Sequence, residues 1–265
     1  MKKLAFVLLC VLIMTGVVFT GCGKNTGKLI CGVTDFEPMN FRDSSGKWTG
    51  FDTELAQLVG QKLKMPVEFI EIEWASKYNE LNSGNISCIW NGFTANSFEK
   101  DGTSRGALVD FSYSYLRNQQ CIVIKAERKD EFKAFGAFAG KTAAAETGSA
   151  GESAAQEIVG DTGKIIGTAA QINTFIEVKS GAVDFAVVDV LLANRLAGSG
   201  DYSDLKIADI TLGYEVYAVG FKKGSELRDK VNKALKELYD EGKMSELAKK
   251  YHIEDSLVLN TNFNG

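Results

Sequence analysis

The chain has one histidine and two prolines among 265 residues, and its 30 basic and 34 acidic side chains nearly cancel. Each scarcity excludes something. With His252 alone, a Ser-His-Asp triad has only one place to form, and a multi-histidine metal site has none. A formal charge of −4 offers no basic face for nucleic acid, which binds largely through cation–phosphate contacts, so no nucleic-acid partner is expected. The five cysteines lack metal-binding spacing, no Walker loop is present, and no cofactor is expected. What remains is ordinary globular composition, 45% apolar and 24% charged, long enough for one large or two modest domains. That balance favours a binder over a catalyst.

Lys2 and Lys3 precede an apolar run over 4–19, which is followed by Thr20, Gly21 and Cys22. This is the pattern of a secretory signal, residues 1–21, and the cysteine after small residues resembles the bacterial lipobox, with Phe19 in place of the usual leucine. The run falls short of the ~20 apolar residues that a membrane span needs. Cys22 is therefore the expected lipidation site, residues 22–27 a polar tether, and the mature chain an extracytoplasmic lipoprotein anchored to the bilayer. Loss of Lys2 and Lys3 would move the formal charge from −4 to −6. Cys31, Cys88 and Cys121 lie in apolar segments and read as buried thiols; a Cys31–Cys88 disulfide stays open.

Strand-like and helix-like segments alternate. Leu29–Val33 reads as a strand, and 51–64 as a helix carrying Phe51, Leu55, Leu58, Val59 and Leu63 on one face. Strands are expected over 67–73, 86–91, 121–125, 142–145 and 184–188, with Ser225 capping a late helix. This rhythm predicts an α/β fold with mainly parallel sheets. An internal echo relates 81–92 to 178–189: helix end, Ser-Gly turn, strand, then a polar residue. It places Asn91 and Gly92 in one half, and Asp189 in the other, beyond strand carboxyl ends, where α/β sheets bind ligands.

Ordered motifs extend this pattern: Phe36, Pro38 and Phe41; Gly50, Phe51 and Asp52; Gly92 and Thr94; Arg105 before Val109, Asp110, Phe111 and Ser112; Gly148 and Ser149; Asp184 and Asp189; Phe221 and Gly224. Together they resemble the extracellular solute-binding proteins (family 3 type) of polar amino-acid ABC transporters, over about residues 28–251. The resemblance implies a type II periplasmic-binding-protein-like fold. Lobe 1 would be built from 28–115 and 218–265, lobe 2 from 120–212, with a two-segment hinge at 116–119 and 213–217. It implies a free amino acid as ligand, an ABC permease as partner, and no enzymatic activity.

A free amino acid presents a carboxylate and an ammonium. A guanidinium fork suits the first, and Arg105, helped by Thr94 and N–H groups near Gly92, is the candidate. An acidic strand end suits the second, and Asp189 is the candidate, although it also suits a helix N-cap. Gly148 and Ser149 open a helix whose N–H groups favour an anion. Phe36 and Trp74 would stack on the side chain, with core packing as the alternative; Trp90 reads as core. Glu146 stands where some glutamine-binding relatives carry a basic residue, and with Glu37 and Glu73 it hints at a cationic ligand side chain. Solvent exposure is the alternative for all three. Glu146 is one departure from the family's pattern, and a longer loop between Thr94 and Arg105, an insertion around Ser97 to Ser104, is the second; methionine also replaces the second aromatic at position 39. A ligand-sensing module for a membrane receptor, or a secreted small-molecule lyase on the same fold, are the alternative functions.

Overall fold

The computed structural model describes residues 27–263. The expected signal peptide 1–21 and the lipidation site Cys22 lie outside the described residues. The first strand, β1 (Leu29–Val33), leads through a hairpin of β2 (Phe41–Arg42) and β3 (Trp48–Thr49) into helix α1 (Phe51–Leu63). Next come β4 (Val67–Glu71), α2 (Lys77–Ser83), β5 (Cys88–Ile89), α3 (Arg105–Leu108) and β6 (Asp110–Phe111). A long strand, β7 (Ser114–Lys125), opens a second series with β8 (Thr142–Glu146), α4 (Ala150–Val159) and β9 (Lys164–Thr168). That series continues through α5 (Gln171–Ser180), β10 (Phe185–Asp189), α6 (Val190–Leu196) and β11 (Leu205–Ile207). The chain closes with β12 (Tyr214–Tyr217), β13 (Gly220–Phe221), α7 (Glu226–Asp240), α8 (Lys243–Lys250) and β14 (Leu257–Asn260).

The same plan is used twice. In one sheet β4, β1 and β5 run parallel and β13 joins β5 antiparallel. In the other, β9, β8 and β10 run parallel and β7 joins β10 antiparallel. Parallel strands need helical crossovers that cover the sheet, so central strands are apolar throughout. All five residues of β10 are buried accordingly. The echo has a local cause: α2 and α5 both end on a glycine in the left-handed region, Gly84 (φ 81°) and Gly181 (φ 80°), which turns the chain into the next strand. Helices α1, α7 and α8 cover the first sheet through Leu55, Val59, Val231, Leu235 and Leu247. Ser225 caps α7 by accepting the Leu227 N–H.

β7 begins at Ser114, well before the expected start at Cys121. Its first half carries Arg117, Asn118 and Gln119, which break any apolar pattern and pair with β12, and Gln120 follows them. Its second half joins the second sheet, from Gln120 opposite Asp189 to Ile124 opposite Phe185. The chain thus passes from one lobe to the other along β7 and returns along β12.

Cys31 and Cys88 are register partners on β1 and β5, with sulfurs 3.7 Å apart and both thiols free. Burial, then the neighbouring Cys88, pushes the Cys31 thiol well up, which keeps it unreactive. Among the described residues no helix is long and apolar enough to cross a membrane.

Candidate functional site

The parallel strands of both sheets end at one cleft. Beyond β1 lie Thr34 and Phe36, beyond β4 Trp74, and beyond β5 Asn91 and Gly92; on the other side β8 ends in Glu146 and β10 in Asp189. Trp74, Asn91, Gly92, Thr94 and Arg105 from the first lobe, and Glu146, Ser149, Ala150, Gln171 and Asp189 from the second, line a narrow, largely closed space where the two lobes meet. A larger solvent-open groove adjoins it at Ala150, running between the 96–100 segment and α4. The polar groups converge in the enclosed space.

Arg105, 1% exposed, starts the short helix α3. Its Nε donates to Glu99 (2.9 Å), one terminal nitrogen to the Thr94 carbonyl (3.1 Å) and the other to the Gly148 carbonyl across the cleft (3.3 Å). Lys77, equally buried, donates its ammonium to the same Gly148 carbonyl at 2.9 Å and lies 3.8 Å from Glu99. Burial, then the Arg105 charge, lowers Lys77 to about 8. Glu99 also accepts the Tyr78 hydroxyl (2.6 Å). The 97–104 loop therefore carries a carboxylate to two buried cations. Breaking such a buried arrangement costs several kcal/mol, because an uncompensated charge is left behind.

Asp189 occupies the N-cap position of α6 but makes no cap hydrogen bond with its side chain. Its Oδ1 accepts from Asn118, Gln120 (3.0 Å) and the Tyr217 hydroxyl, and its Oδ2 from Gln171. Burial raises its pKa, and these four donors oppose the rise. Glu215 on β12 is tied into the same network, accepting from Thr94 (3.2 Å), Asn118 (2.8 Å) and Gln120 (3.1 Å). Burial, then Asp189, pushes Glu215 up to about 7.

Several expected residues have different surroundings from those anticipated. The Gly92 N–H is donated to buried Asp52 at 2.7 Å. Gly92 itself has φ 54°, and any side chain there would collide with the Phe36 ring. Phe36 packs against Gly92 and edge-on to Tyr217, at the margin of the space rather than on its wall. Asn91 turns its amide back to Thr34, accepting the hydroxyl at 2.6 Å and donating to the carbonyl at 3.0 Å. Trp74 lines the space and meets Phe93 edge-on at 5.4 Å, while Trp90 is fully buried in the core. Ser149 caps α4 by accepting the Glu152 N–H. Glu37 lies outside the space, where it pairs with Arg195 of the other lobe. Glu146 is buried in the wall.

Lys77, Glu99, Gln171, Glu215 and the amides of Asn118 and Gln120 are absent from the expected set. The one sequence signal for them is the polar run 117–120 inside a strand.

Such an arrangement, two similar α/β lobes with buried charges of both signs facing across a cleft, defines a two-lobed binding protein. Residues 29–254 match the model of the bacterial extracellular solute-binding proteins, family 3, and the chain belongs to that family. It is 29% identical to the arginine-binding extracellular protein ArtP of Bacillus subtilis, covering 95% of this chain and 98% of that one. It is 32% identical to the L-cystine-binding protein TcyA of the same organism, covering 88% and 84%. A solved ABC uptake transporter substrate-binding protein from Streptococcus pneumoniae with bound histidine aligns at a TM-score of 0.76, with 30% identity over 88% of this chain and 95% of that one.

Proposed function

We propose that this chain captures one free amino acid in the enclosed space and delivers it to a membrane ABC permease, without chemical change. Arg105, with Lys77 beside it, would take the ligand carboxylate in place of the Gly148 carbonyl. Asp189 would take the ammonium through Oδ2, which among the described residues accepts only from Gln171 and keeps a lone pair. Thr94 and the 148–149 loop complete the carboxylate end, and Trp74 the apolar side, with Phe36 at its margin. Residues 28–115 and 218–265 would move against 120–212 about the segments 116–119 and 213–217, so that ligand contacts with both lobes favour the closed state. Cys22 would tether the protein to the membrane outside the cell.

The observation that carries this reading is the pairing, across one enclosed space, of a buried guanidinium from one lobe and a buried carboxylate from the other. The relatives named above, which bind arginine and L-cystine, and the histidine-bound neighbour support an amino acid as the ligand. Calorimetric titration of all common amino acids tests it. One should bind at 1:1, and Arg105→Ala and Asp189→Ala should each weaken it by about 2–5 kcal/mol, since truncation strands a buried charge. Unchanged affinity in both variants would overturn the site, and a product formed from the bound amino acid would overturn capture.

A further inference from the structure

The two walls of the space carry opposite net charge. On the first lobe Lys77 and Arg105 share one carboxylate, Glu99, leaving one positive charge for one ligand carboxylate. On the second lobe stand two carboxylates, Asp189 and Glu146. An amino acid's ammonium answers only one of them. Glu146 is 3% exposed, and its Oε1 has no hydrogen-bond partner among the described residues. It forms no ion pair there either, because Lys77 and Arg105 both turn to Gly148 and Glu99. A buried carboxylate without a partner is costly, and native proteins rarely keep one without a use for it.

Resting on the amino-acid reading above, we infer that Glu146 recognises the ligand's side chain and that the ligand is an amino acid with a cationic side chain. A neutral amide could offer Glu146 a hydrogen bond but nothing that favours its ionised form in a buried site. An ammonium or guanidinium supplies both the donor and the charge. The groups facing Glu146 agree: burial and Asp189 push it up to about 8, while Lys77 and Arg105 only partly oppose this and Glu73 adds to the rise. Before a cation arrives it therefore holds a proton over much of the neutral range, and a cationic ligand would displace that proton.

The test uses the mature chain and two ligand pairs matched in shape but not in charge: arginine with citrulline, and lysine with norleucine. Titration should show the cationic member of at least one pair binding about 100-fold or more tighter than its neutral mate, the scale of a buried charge pair. Glu146→Gln should reduce that ratio to within about tenfold while neutral binding persists, since the hydrogen-bonding shape is kept and the charge is lost. Titration of the parent near pH 7.5, in buffers of different ionisation enthalpy, should reveal more proton release with the cationic ligand than with its mate, since Lys77 and Asp189 meet the same groups in both; this readout survives a variant that folds poorly. Equal or tighter binding of neutral or acidic amino acids by the parent, or an unchanged ratio in the variant, would overturn the inference and leave amino-acid capture standing. Failure of every amino acid to bind the parent would instead overturn the capture reading beneath it.

Discussion

The two lobes share a strand order and differ in what they place at the ends of those strands. β4, β1 and β5 bring an apolar wall, Trp74 and Gly92, beside the cations Lys77 and Arg105. β9, β8 and β10 bring the carboxylates Glu146 and Asp189. The backbone plan fixes where side chains emerge, and a few substitutions fix the sign of the charge. One scaffold used twice thus makes a cavity with a positive and a negative side, the polarity that a zwitterion requires.

The sharpest way to break the comparison is to remove one side at a time. Arg105→Ala should lose discrimination between the bound amino acid and its decarboxylated amine, and Asp189→Ala between the amino acid and its deaminated acid. Each loss should be about 2–5 kcal/mol by calorimetry, and interchangeable effects would mean that the walls are not specialised.

Next in size is the carboxylate delivered by the 97–104 loop. Glu99→Ala leaves Lys77 and Arg105 without their shared partner, and unfolding in urea should show a loss of about 2 kcal/mol, below the 3–5 kcal/mol of a fully buried pair because Glu99 is 19% exposed. Adding Lys77→Met should recover part of this loss, and the coupling in a double-mutant cycle measures the like-charge term.

A smaller effect concerns pH. Burial pushes Asp52 up to about 7, against the Gly92 N–H that lowers it. A carboxylate with a raised folded pKa holds its proton in the native state where the unfolded chain has lost it. Stability attributable to it is therefore greatest below about 4 and falls as pH rises toward 7. Thermal midpoints of the ligand-free parent and of Asp52→Asn should diverge across that window, the variant showing the flatter profile. Parallel profiles would remove Asp52 as the cause.

The smallest effect lies at the rim. Arg195 and Glu37 pair across the lobes but are 45% and 31% exposed. Arg195→Ala should change ligand affinity by at most about 1 kcal/mol at low salt, and by nothing measurable at high salt.

Much of this molecule was legible from its residues. The Ser-Gly turns after 81 and 178 marked two equivalent strands, and the polar residues after them fell at the cleft. Arg105, Thr94, Glu146 and Asp189 all line the enclosed space. Lys77, Glu99 and Glu215 were not legible, because their burial depends on segments far apart in the chain. Lys77 meets Gly148 only when two lobes face each other, and Glu99 reaches Arg105 from a loop with no periodicity. Glu37 illustrates the opposite difficulty: it is close in sequence to Phe36 but turns outward to Arg195. Asp189 stands where a capping residue would stand, and only its actual donors, none of them a helix N–H, separate the two roles.

One atom of the cleft lies beyond the reach of ordinary sequence drift. The oxygen that receives both Lys77 and Arg105 belongs to the main chain of Gly148, so no exchange of side chains deletes it. Only the shape of the loop can move it. That shape is guarded in turn by φ 76° and by Ala75, whose Cα would stand 3.2 Å from any added Cβ. Descendants of this protein can alter the residues on either wall, and with them the cargo, while the mark by which one wall finds the other stays where it is.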